Sequence, residues 1–151
     1  MNSEKFYLNE GGVKLSENKQ IFIVDDDVSV CRALSVLLVT YGFTVDTFTS
    51  AEEFFSAVPC SVPGCLVLDI HMPGLDGWKA QQRIIESGSK RSVIIISADK
   101  DEENYKRALK VGAAGYLQKP FNDQALVDLI NIALKKKDTP DKTRNLKVRK
   151  L

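Results

Sequence analysis

Cysteine, histidine and long apolar runs are scarce in this chain of 151 residues, and each scarcity narrows what it can be. There are three cysteines, Cys31, Cys60 and Cys65, and one histidine, His71. The cysteine count is odd, no C-x-x-C occurs, and no Cys/His group has the spacing of zinc ligands, which argues against a disulfide framework and a structural zinc. Free thiols in a reducing cytoplasm are the expectation. No apolar run approaches the ~20 residues needed to cross a bilayer. The polar stretch Met1–Gln20 lacks the apolar core of a secretory leader, so no membrane partner is expected. An excess of either charge is also missing, since 21 Lys+Arg face 20 Asp+Glu for a net +1. That removes the chain-wide polycation of a nucleic-acid binder and the acidic bias of a disordered chain.

The charge that is present is unevenly placed. Residues 135–151 hold eight Lys/Arg and two Asp/Glu, leaving residues 1–134 at −5. Short apolar runs recur between these ends at Ile21–Val24, Thr44–Phe48, Cys65–Leu68, Val93–Ile96 and Gly115–Leu117. Runs of this length rich in Val, Ile and Phe read as strands, and the near-continuous ones as strands buried on both faces.

Helical patterns fill the gaps. Val30, Ala33, Leu34, Leu37, Leu38 and Tyr41 form one stripe that ends at Gly42. Ser50-Ala-Glu-Glu53 is a capping box opening a helix with Ala51, Phe54, Phe55 and Val58 on one face. Further helices are expected from near Trp78 to before Gly88, from about Lys100 to Val111, and from about Asp123 to Lys136. The fourth has only Tyr105, Ala108, Leu109 and Val111 as anchors and should be weakly held. Strict βα alternation with short connections indicates an α/β fold, a doubly wound parallel sheet with five helices over both faces. Residues 1–18 and 138–151 read as a flexible extension and a basic tail or linker around a domain at 19–137.

In such folds ligands bind beyond the carboxyl ends of the strands. Asp25-Asp26-Asp27 follows the first strand, Asp69 the third, Ser97-Ala98 the fourth and Lys119-Pro120 the fifth, while the second contributes nothing comparable. Three carboxylates brought together repel one another unless a cation sits among them. A hard divalent ion such as Mg²⁺, which takes one or two carboxylates and completes its shell with water and phosphate oxygens, suits an open acidic cluster. Lys119 then has a purpose if an anion such as a phosphoryl group enters the site. Taken singly, the pieces allow plainer readings: Asp25–Asp27 as a helix cap, Ser97 as a turn residue, Lys119 as a surface charge. Their conjunction at one sheet edge favours the chemical reading.

The motifs Ile23-Val-Asp-Asp-Asp27, Leu66-Val-Leu-Asp-Ile-His-Met-Pro-Gly-Leu-Asp-Gly77, Ile94-Ile-Ile-Ser-Ala98 and Gly112-Ala-Ala-Gly-Tyr-Leu-Gln-Lys-Pro-Phe121 resemble those of response-regulator receiver domains of two-component signalling. They cover about 115 residues in the family's order. The resemblance implies a flavodoxin-like strand order 2-1-3-4-5. It implies Asp69 as phosphoacceptor and Asp25, Asp26 and Asp69 as the metal site. Asp26 is then a direct ligand, Asp25 acts through water, and the main-chain carbonyl of His71 completes the set. It further implies Lys119 as the phosphate-binding lysine, Ser97 and Tyr116 as the switch pair, and a cis Lys119–Pro120 peptide. Mg²⁺ is the implied cofactor, with Mn²⁺ able to take its place.

The implied reaction is phosphoryl transfer from a phosphohistidine of a sensor histidine kinase or phosphotransfer protein to Asp69, followed by slow autodephosphorylation. The chain would thus catalyse its own modification without being a conventional enzyme. A downstream protein would read the face made by the fourth helix, fifth strand and fifth helix, with no nucleic acid bound by the receiver itself. A phosphorylation-dependent homodimer is left open. His71 and Asp99 are expected at the mouth of the site, where they tune lifetime. Two rivals stand beside this reading: the receiver fragment of a DNA-binding transcriptional regulator whose output domain is absent, and a Mg²⁺-dependent phosphohydrolase of haloacid-dehalogenase type. The second expects an Asp where His71 stands.

Overall fold

In a computed structural model of the chain, the structure describes residues 19–99 and 102–136. The expected extension at 1–18 and tail at 138–151 lie outside the described residues. Five strands alternate with five helices: β1 (Gln20–Val24), α1 (Val28–Thr40), β2 (Thr44–Phe48), α2 (Ala51–Ala57), β3 (Cys65–Asp69), α3 (Gly77–Glu86), β4 (Ser92–Ser97), α4 (Glu102–Lys110), β5 (Gly115–Gln118) and α5 (Asp123–Lys136). Every strand pair is parallel and the sheet order is β2-β1-β3-β4-β5. This is the doubly wound flavodoxin-like fold expected of the motifs.

Successive strand residues point to opposite faces, so the continuous apolar runs of β1, β3 and β4 supply two cores at once. Ile21, Ile23, Val67, Ile94, Ile96 and Leu117 pack beneath α1 and α5, while Phe22, Val24, Leu66, Leu68, Ile95 and Tyr116 pack beneath α2, α3 and α4. Only the edge strand β2 is largely exposed.

The helix faces differ in detail from the sequence expectation. On α1 the buried residues are Cys31, Leu34 and Leu38, while Ala33 is exposed and Tyr41 is 44% exposed. The stripe therefore extends to Cys31 at one edge, whose thiol donates to the Asp25 carbonyl at 3.2 Å. Helix α3 begins at Gly77, because the Asp76 carboxylate caps it by accepting from Lys79 N–H. Helix α4 buries only Ala108, and Leu109 is 40% exposed. Each residue advances about 100° around a helix, so with Ala108 facing the sheet Leu109 falls on the flank.

Candidate functional site

The parallel register brings the strand ends together. Val24 pairs with Leu68, Asp69 with Ile96, and Ser97 with Gln118, so Asp25, Asp69, Ser97 and Lys119 meet at the carboxyl edge. Oxygens of Asp25, Asp26 and Asp69 lie within 4.8 Å of one another. Asp25 is fully buried, Asp69 is 5% exposed and Asp26 is exposed. The Lys119 ammonium lies 2.9 Å from Asp25 Oδ2 and 3.7 Å from Asp69 Oδ2. The Lys119–Pro120 peptide is cis, and Lys119 N–H donates to the Ser97 carbonyl at 2.7 Å.

The aspartate triplet divides between two places. Asp27 is the N-cap of α1 and accepts from Ser29 and Val30 N–H, while Asp25 and Asp26 face the cluster. Asp25 Oδ1 in turn accepts from Asp27 N–H at 2.9 Å, which fixes its carboxylate.

The electrostatics single out Asp69. Burial pushes its carboxyl up to about 6, opposed by the His71 N–H bond to Oδ1 at 3.1 Å, reinforced by the Asp25 charge and again opposed by Lys119. Burial pulls Lys119 down, but its hydrogen bond to Asp25 and the charges of Asp25 and Asp69 outweigh that and raise it. One lysine thus faces two buried carboxylates with a third beside them. This donor set, three hard oxygens in a partly open cluster, fits a divalent cation.

Ser97 is fully buried, and its hydroxyl accepts from Asp99 N–H at 3.0 Å. Tyr116 is not among the carboxylates. It lies on the α2–α3–α4 face, 1% exposed, edge-on to Tyr105 at 6.1 Å, and its hydroxyl has no hydrogen-bond partner among the described residues. The His71 ring turns to Asp99, with Nε2 2.7 Å from Oδ2, and Asn104 of α4 donates to the same oxygen at 3.3 Å. Sequence reading placed His71 and Asp99 at the mouth but not their bond, nor Asn104. It also missed Glu52, whose carboxylate accepts from Leu75 N–H at 3.2 Å. Two adjacent glutamates where the capping box needs one were the available signal.

Comparison with known proteins agrees with this fold. A family model described as the response regulator receiver domain matches residues 21–131. The transcriptional regulatory protein TdiR of Thauera aromatica is 39% identical over 121 residues, 80% of this chain and 53% of TdiR. The transcriptional regulatory protein FixJ of Bradyrhizobium diazoefficiens is 34% identical over 123 residues, 82% of this chain and 60% of FixJ. Among solved structures, a response regulator receiver protein from Burkholderia phymatum is 40% identical with a TM-score of 0.69, covering 78% of this chain and 96% of that one. The response regulator StyR is 38% identical with a TM-score of 0.74, covering 81% of this chain and 61% of StyR. The chain spans about half the length of the first curated relatives it matches. With the matched segment running from β1 into α5 and the fold and strand order in agreement, this chain belongs to the response regulator receiver domain family.

Proposed function

We propose that the chain accepts a phosphoryl group on Asp69 from the phosphohistidine of a sensor histidine kinase or phosphotransfer protein. Receiver domains generally bind Mg²⁺ at an acidic pocket and work with such donors. The observation that carries the reading here is the buried Asp69 carboxylate, held high in pKa within 4.8 Å of Asp25 and Asp26 and 3.7 Å from Lys119. Asp25, Asp26, Asp69 and the His71 carbonyl would hold Mg²⁺ or Mn²⁺, which when bound neutralises carboxylate and phosphoryl charge. An Asp69 oxygen forms the new P–O bond as the donor's N–P bond breaks, and the donor imidazole leaves with the bonding pair. An ionised carboxylate needs no general base, so the task of the chain is alignment and charge. Lys119 is placed to neutralise one phosphoryl oxygen, and the Ser97 hydroxyl and His71 N–H to donate to others. Water attack on phosphorus then breaks the P–O bond to Asp69, releasing inorganic phosphate and returning the carboxylate, with the His71–Asp99 bridge beside the path.

Ser97 exchanging its Asp99 N–H partner for a phosphoryl oxygen, together with Tyr116, would carry the state to the α4–β5–α5 face. The sparse burial of α4 suits an element that shifts. Ser97→Ala is expected to accept phosphate yet leave α4 amide exchange unchanged by phosphorylation. The transcriptional-regulator names of TdiR and FixJ favour the output of such a regulator. No helix among the described residues is long and apolar enough to cross a membrane. The functional test is intact mass after incubation with acetyl phosphate, with and without Mg²⁺. A single Mg²⁺-dependent phosphoryl adduct absent from Asp69→Asn is expected. No adduct on wild type would contradict the reading.

A further inference from the structure

The loop between β3 and α3, residues 70–76, brings main chain to the acceptor through His71 N–H. Packing seats both of its ends. Ile70 is 2% exposed, and Gly77 lies so close to β3 that a Cβ there would stand 2.4 Å from Ile70 Cα and 2.7 Å from the Asp69 carbonyl oxygen. The buried Met72 side chain packs the middle. The tip is held from outside the loop. Leu75 N–H donates to Glu52 of α2 at 3.2 Å, and Gly74, at φ +77°, lies against the same carboxylate, where a Cβ would stand 3.1 Å from Oε2.

Glu52 is free for this because its neighbour serves α2. The Glu53 carboxylate accepts from Thr49 N–H at 2.9 Å, and Glu53 N–H donates to Ser50 Oγ at 3.0 Å, which completes the cap. Within the loop, Gly77 N–H donates to the Ile70 carbonyl at 3.2 Å and His71 N–H to Asp69, and the Glu52 bond adds a restraint at the tip from another element.

We propose that Glu52 is a positioning residue for the chemistry at Asp69. It touches neither the acceptor nor the cation site. Its carboxylate orients the loop and, through it, the His71 main chain. This rests on the reading of Asp25, Asp26 and Asp69 as the divalent-cation and phosphoacceptor site.

The test compares Glu52→Ala and Glu52→Gln with wild type in the full chain. Mg²⁺ half-saturation is followed by the fluorescence of Trp78, the only tryptophan, which lines a shallow pocket with His71, Met72 and Pro73. Amide exchange at Leu75 is measured without metal. Glu52→Ala is expected to raise Mg²⁺ half-saturation about fivefold and to speed Leu75 exchange, while Glu52→Gln, which keeps an acceptor oxygen, stays within about twofold of wild type. Wild-type half-saturation and exchange in Glu52→Ala would overturn the proposal. So would equal impairment of both variants, which would assign the effect to charge in the first turn of α2. Wild type giving neither a Mg²⁺ titration nor an adduct would strike the functional reading instead, and Leu75 exchange would still decide whether the contact holds the loop.

Discussion

The two ends of the sheet both bury polar groups, to opposite effect. At the amino end, Arg91 is 7% exposed, donates to the carbonyls of Pro59 and Val62, and lies over the rings of Phe22 at 5.4 Å and Phe54 at 5.1 Å. Beside it, Ser92 Oγ donates to the Ala133 carbonyl at 3.1 Å. At the carboxyl end, Asp25, Asp26 and Asp69 crowd around one lysine, and Asp69 is pushed up to about 6. One end is satisfied by the chain itself. The other sets three carboxylates beside one lysine and so retains an excess of negative charge.

The contrast breaks first at Arg91. Arg91→Ala leaves two carbonyls without their donor and removes two ring contacts, so urea denaturation should show a loss of about 3 kcal/mol. A loss below about 1 kcal/mol would mean the amino end is not the anchored one. Asp69→Asn should act in the opposite direction. A carboxyl raised in the fold disfavours folding when ionised, so the penalty is absent near pH 4, grows as pH rises, and is complete above about 6. In metal-free buffer the variant should be more stable than wild type by about 2 kcal/mol at pH 7, with the gap closing towards pH 4. A gap that widens on acidification would refute the direction of the shift.

Cation binding should sharpen the difference between the ends. At tenfold over its dissociation constant, Mg²⁺ should stabilise wild type by about 1.4 kcal/mol and Asp69→Asn by clearly less, read as shifts in Tm. Equal shifts would place the ion elsewhere. The smallest effect belongs to Ser92→Ala, about 1 kcal/mol or less at pH 7 and unchanged by Mg²⁺.

Much of this was legible because it is local in sequence. Each strand is an apolar run, and each site residue directly follows or ends one, so Asp25, Asp69, Ser97 and Lys119 could be named before any geometry existed. What escaped depends on contacts between elements. The Glu52–Leu75 and Asn104–Asp99 bonds join segments whose proximity the fold alone creates. Hydrophobic spacing on α1 favours Ala33 and Tyr41 over Cys31, and the thiol's bond to the Asp25 carbonyl is a tertiary contact. On α4, composition showed correctly that few anchors exist, but not which of them faces the sheet.

The most direct test of the central claim locates the phosphoryl group. After acetyl phosphate and Mg²⁺, borohydride reduction of an aspartyl phosphate leaves homoserine, and peptide mass spectrometry reads its position. Homoserine at position 69 alone is the expected result. Homoserine at Asp25 or Asp26, or none in a protein whose intact mass carries the adduct, would contradict the assignment of Asp69 as the acceptor.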